Sequence, residues 1–111
     1  MKRMLSDQEK HQIYEDIRAY LAEELEIEPE KITGDTNIID DLGADSILFL
    51  EMFEEFKDKL GIELEIRIIG QYMLNHPVYT FNEITQAIYT FVEKGEELIQ
   101  DEEEPVEDLK A

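Results

Sequence analysis

The chain has 111 residues, with ten Lys and Arg against 29 Asp and Glu, a formal net charge of −19, two histidines and no cysteine. Such a balance disfavours nucleic acid, whose phosphates need basic patches, and anionic membrane surfaces for the same reason; its natural complement is a basic protein surface. Disulfides and thiolate metal sites are excluded, and the length points to one domain able to bury a core.

The N-terminal MKRMLSDQEK has two basic residues with no apolar run behind them, so no signal peptide is expected. No apolar stretch approaches the length of a membrane span. A monomer in the cytoplasm is expected.

Residues 6–25, SDQEKHQIYEDIRAYLAEEL, carry an S-x-x-E capping box in Ser6 and Glu9. Ile13, Ile17, Tyr20, Leu21 and Leu25 follow at helical spacing, so a first helix is predicted. Residues 26–44, EIEPEKITGDTNIIDDLGA, are punctuated by Pro29, Gly34 and Gly43 and read as a long loop with one helical turn at Pro29–Ile32. Ile27, Ile32, Ile38, Ile39 and Leu42 are too apolar for a free linker and are expected to pin the loop to the core. A loop this long in a small domain points to function.

A second helix is predicted over 46–60, with Asp45 as its N-cap. At about 100° per residue, Glu51, Glu54, Glu55 and Asp58 form one acidic stripe. Phe49, Phe53, Phe56 and Leu60 fall opposite, toward the core. Leu48 and Met52 lie on the flank between, and Leu50 on the other. Charge runs on helices are usually solvated faces. Four acids at this spacing also repel one another by a few tenths of a kcal/mol per pair, which gives a docking role some weight.

Residues 62–74, IELEIRIIGQYML, alternate like a strand at first, but no partner strand is apparent and an isolated strand is unstable. A short helix from about Glu65 to Leu74 is preferred, weakened at Gly70 by roughly 1 kcal/mol relative to Ala. After His76-Pro77, Thr80 and Glu83 form a second capping box. Ile84, Ala87, Ile88, Phe91 and Val92 then give a helical stripe ending near Gly95. Residues 1–95 are assigned to a helical bundle and 96–111 to an acidic, disordered tail.

Ser46 stands between Asp45 and an apolar run. A catalytic serine needs a base within reach and an oxyanion site. His11 and His76 lie in no triad context, and the G-x-S-x-G elbow is absent. No catalytic residue and no metal site are assigned. The oxygen-bearing side chains of Asp35, Asn37, Asp40, Asp41 and Asp45 fit no twelve-residue calcium loop: from Asp35, the fifth position is Ile39. A helix start does suit an attached phosphate, so Ser46 is better fitted to be modified than to catalyse.

Asp41-Leu42-Gly43-Ala44-Asp45-Ser46-Ile47 resembles the phosphopantetheine attachment site of the acyl carrier proteins, a D-L-G-x-D-S-L core opening the second helix. The resemblance runs over about residues 4–94, through the capped first helix, the loop, LGIEL and YTFNEITQAIYTFV. It implies an all-α, small four-helix bundle with a long first loop and a short third helix. It also implies 4′-phosphopantetheine on Ser46, attached by a phosphopantetheinyl transferase, with Asp45 as the adjacent acid that serves that modification. The protein would hold acyl groups as thioesters on this arm, shield them among its helices and deliver them to enzymes of fatty-acid, lipid or polyketide-type synthesis. It would catalyse nothing itself. Glu51, Glu54, Glu55 and Asp58 would meet basic docking patches on those partners.

The chain departs from the family where common fatty-acid carriers place an acidic and a small polar residue, at Leu48 and Phe49. Leu48 and Met52 are therefore assigned to a dedicated partner, and the longer, apolar 65–79 segment suggests a specialised carrier. An aminoacyl or peptidyl carrier and an unmodified acidic interaction domain of the same fold stay open as alternatives.

Overall fold

In the computed structural model, residues 4–95, 97 and 98 are described. Helix α1 spans Asp7–Leu25, a 3-10 turn spans Pro29–Lys31, α2 spans Ser46–Leu60, α3 spans Ile66–Asn75 and α4 spans Phe81–Lys94. The described residues form a small all-α bundle with a long first loop and a short third helix, as expected.

Local chemistry fixes each helix start. Ser6 and Glu9 close the first capping box, with the Ser6 Oγ accepting from the Glu9 amide at 3.1 Å and Glu9 Oε1 from the Ser6 amide at 2.9 Å. Thr80 and Glu83 close the second in the same reciprocal way. Each box satisfies two donors that a helix start otherwise leaves open. Gly61 ends α2 with φ 66°, a left-handed conformation that glycine adopts without steric cost.

The helices then bury their apolar faces together. Ile13, Ile17 and Leu21 of α1 join Phe53 and Phe56 of α2, Ile68 and Ile69 of α3, and Ile84, Ile88 and Phe91 of α4 in one core. Edge-on aromatic pairs stitch it: Tyr14 to Phe81 at 4.7 Å, Tyr20 to Phe56 at 5.8 Å and Phe53 to Phe91 at 5.7 Å. Helices α1 and α4 run antiparallel. The Tyr89 hydroxyl donates to the Lys10 carbonyl at 2.9 Å, and the Leu5 amide to Glu93 Oε2 at 3.0 Å.

The first loop is docked on the start of α4. The Ile38 amide donates to the Tyr79 carbonyl at 2.9 Å, the Phe81 amide to Thr36 at 2.9 Å and the Asn82 amide to Gly34 at 3.0 Å. Gly34 allows the close approach, since a Cβ there would lie 2.5 Å from the Asn82 side chain. Ile32 and Ile38 are the buried pins of this loop, and Ile27 and Leu42 are half-buried. Ile39 departs from its expected role and is exposed, because the turn that follows Ile38 carries its neighbour outward.

The alternation at 62–64 has a different cause from a sheet. Ile62 and Leu64 are buried in the connection between α2 and α3, Glu63 is exposed, and the helix begins only at Ile66. A connection that buries every second residue has the same period as a strand. The acidic segment assigned to 96–111 lies outside the described residues apart from Glu97 and Leu98. Leu98 is only 1% exposed and belongs to the core, so the packed body reaches past residue 95.

Candidate functional site

The segment ahead of α2 folds by its own side chains. Asn37 Oδ1 accepts from the amides of Ile39 at 3.0 Å and Asp40 at 2.8 Å. The Asp41 carboxylate returns to the Asn37 amide at 2.9 Å. Gly43, at φ 76°, turns the chain through a conformation that a side chain would strain. Ala44 is buried, and its amide donates to the Ile38 carbonyl at 3.1 Å. Asp45 then caps α2, its Oδ1 accepting from the Leu48 amide at 2.9 Å. Asp41, Gly43, Ala44 and Asp45 thus have structural work that delivers Ser46 to the first turn of a helix.

Ser46 is exposed there. It borders a cleft of about 200 Å³ between α2 and α3, lined by Phe49, Leu50 and Phe53 on one wall and Ile69, Gly70 and Met73 on the other. Apart from Ser46 the lining is apolar. A phosphate on Ser46 would stand at a helix N-terminus, which favours negative charge. An apolar chain attached through it would find apolar surface within the adjoining cleft. The residues present therefore fit a phosphopantetheine arm.

The acids of the second helix are gathered as the wheel placed them. Glu51, Glu54, Glu55 and Asp58 are exposed, and Tyr20 and Glu24 of α1 face them across a shallow groove. Burial first, then the Glu24, Glu51 and Glu55 carboxylates, push the Tyr20 phenol above its ordinary range. Glu24 is a member of this acidic surface that periodicity within one helix did not reveal. The signal lay in the first helix's polar face, whose neighbours only the fold supplies.

Met52 requires a correction. The spacing puts it on a partner-facing flank, but it is 0% exposed and belongs to the core. Helix α2 has α1 on one side, through Tyr20 and Phe56, and α3 on the other, across the cleft. A helix packed on both sides buries a wider arc than one lying on a single surface. Leu48 is half-buried and packs against that core. Phe53 and Phe56 are buried as the wheel indicates, while Phe49 and Leu60 are half-buried.

The exposed apolar side chains beside Ser46 are Ile47, 65% exposed, and Leu50, 42% exposed. Sequence reasoning gave neither a role. Their spacing of three, on the flank opposite Leu48, was the available signal. Gly70 and Met73, on the facing helix, could not be placed near Ser46 from spacing at all.

The histidines stand elsewhere. His11 is exposed on α1. His76 caps α3, its ring stacked on Tyr72 at 4.2 Å and its Nδ1 3.2 Å from the Tyr72 carbonyl. Among the described residues, no group of three or more His, Asp or Glu side chains is placed to hold a metal ion, and no helix is long and apolar enough to cross a membrane.

Comparison with known proteins agrees with this geometry. The family described as "Phosphopantetheine attachment site" matches residues 15–77. An acyl carrier protein homolog of Clostridium acetobutylicum is 28% identical over 91 residues, covering 82% of this chain and 88% of that protein. An acyl carrier protein of Campylobacter hominis is 36% identical over 53 residues, covering 48% of this chain and 67% of that protein. That of Helicobacter pylori is 35% identical over 52 residues, covering 47% and 67%. With the attachment domain spanning more than half of its length, the chain belongs to the acyl carrier protein family, whose cofactor is covalent 4′-phosphopantetheine.

Proposed function

We propose that this protein carries acyl groups on a 4′-phosphopantetheine arm attached to Ser46 and delivers them to enzymes of fatty-acid, lipid or polyketide-type synthesis. The observation that carries this is the position of Ser46, an exposed hydroxyl on the first turn of α2 bordering an apolar cleft. The bound arm supplies a thiol that holds the acyl group as a thioester. The chain's own residues do the rest. Asp45 holds the first turn through the Leu48 amide and leaves a carboxylate beside the hydroxyl for a phosphopantetheinyl transferase to use. Phe49, Leu50, Phe53, Ile69 and Met73 offer the acyl chain a dry surface. No catalytic step is assigned to the protein itself.

An acyl cargo suits this lining better than an aminoacyl one, whose ammonium would have to leave water with no partner among these side chains. Partner enzymes are recognised through charge. Glu24, Glu51, Glu54, Glu55 and Asp58 present a fixed negative surface to basic patches, which speeds encounter and selects partners. Leu48, packed at the edge of that surface, tunes the contact. The protein works as a cytoplasmic monomer that meets each enzyme in turn. Incubation with coenzyme A and a phosphopantetheinyl transferase tests the attachment: wild type should gain one phosphopantetheinyl group and Ser46→Ala none.

A further inference from the structure

Gly70 has no local reason to be glycine. It lies inside α3, and it is not among the glycines of positive φ, which are Gly43, Gly61 and Gly95. A Cβ built on it meets nothing within 4 Å, so no close neighbour forbids a side chain. In a helix interior glycine is disfavoured relative to alanine. The missing side chain leaves open space, and Gly70 lines the cleft together with Ile69 and Met73. Behind the cleft lies aromatic packing: Phe53 lines it and meets the buried Phe91 edge-on at 5.7 Å.

The size of the cleft is informative. At about 200 Å³ it is smaller than most small-molecule pockets, which run to roughly 300–1,000 Å³. An apolar cavity of about 150 Å³ holds one benzene, so this one takes about six to eight carbons.

We infer that Gly70 holds the acyl cleft open, so that it takes acyl chains of about six to eight carbons where any side chain at this position would limit it to shorter ones. This rests on the reading of Ser46 as the attachment residue. A side chain at position 70 would project into the space the chain occupies, while the helix that bears it would be no worse formed.

The test uses the full chain loaded by a phosphopantetheinyl transferase with coenzyme A and with its acetyl, butyryl, hexanoyl, octanoyl and dodecanoyl thioesters. Wild type, Gly70→Ala and Gly70→Leu are compared by melting temperature, after intact mass has confirmed each load. In wild type the melting temperature should climb by about 5 °C or more from acetyl to octanoyl and gain nothing further at dodecanoyl. Gly70→Ala should stop the climb at a shorter chain, and Gly70→Leu should abolish it, while unloaded Gly70→Ala melts at or above wild type. Should Gly70→Leu fail to fold, the Gly70→Ala series decides alone. The same climb in wild type and Gly70→Ala, or a climb continuing through dodecanoyl, would overturn the inference and leave the carrier reading standing. If nothing loads onto Ser46, both fall.

Discussion

The Asp45 carboxylate accepts a hydrogen bond from the Leu48 amide at 2.9 Å, and Ser46 lies on the turn that this bond closes. One side chain thus caps the helix and sits beside the proposed modification site. The two roles separate by substitution. Asp45→Ala should cost about 1 kcal/mol of stability, typical of a lost N-cap, which lowers Tm by roughly 4–8 °C in a domain of this size. Asp45→Asn keeps a capping oxygen and should hold Tm near wild type, yet slow modification of Ser46 by the transferase. Equal modification rates for wild type and Asp45→Asn would reduce Asp45 to a cap.

Met52 and Leu48 belong to different regions despite being one turn apart. Met52 is wholly buried, so Met52→Ala should cost about 2–5 kcal/mol in a denaturant titration. Leu48→Asp should weaken use of the loaded carrier by its partner enzyme more than it weakens attachment of the arm. Unchanged steady-state rates with the partner would remove Leu48 from the docking surface.

The acidic groove between α1 and α2 makes stability depend on salt. Glu24 and Tyr20 of α1 face Glu51, Glu54, Glu55 and Asp58 of α2 across it, and screening relieves the repulsion among the carboxylates. Tm should rise between low and moderate salt. Glu51→Gln should melt higher than wild type at low salt and show a weaker salt response, while binding more weakly to a basic partner surface. A Tm flat with salt would show that the repulsion is already dissipated by solvent.

Glu83 gives a pH signature with a defined sign. The Thr80 amide first, then the Tyr79 amide, donate to its carboxylate and hold it below its ordinary value of 4.5. A group with a depressed folded value stabilises the protein above its unfolded value and stops doing so as pH falls through the folded one. The stability difference between wild type and Glu83→Gln should therefore be full near neutral pH and shrink as pH drops below about 4.5. Thermal melts across that range read it directly; a difference independent of pH would mean that the carboxylate's charge contributes nothing to the cap.

Much of the fold is legible in the sequence because its signals are local. Ser6 with Glu9 and Thr80 with Glu83 announce α1 and α4 within a few residues of their starts, and Asp45 announces α2. The third helix was harder. Ile62 and Leu64 mimic a strand because both are buried with the exposed Glu63 between them, and a glycine in the following helix lowers its apparent propensity. What the sequence could not supply is tertiary. Met52 is buried because α2 is packed on two sides, and Glu24 joins the acidic surface because α1 passes close to α2. Gly70, a weakness when read within its own helix, becomes a feature of the cleft only once α3 faces α2.

The carrier role itself rests on one covalent bond, and mass spectrometry observes it. The full chain is incubated with coenzyme A and a phosphopantetheinyl transferase, its intact mass is measured, and the modified peptide is sequenced. One phosphopantetheinyl group located on Ser46, and none on Ser46→Ala, is the expected result. A folded wild type that stays unmodified with several transferases, or that carries the group on another residue, would contradict it.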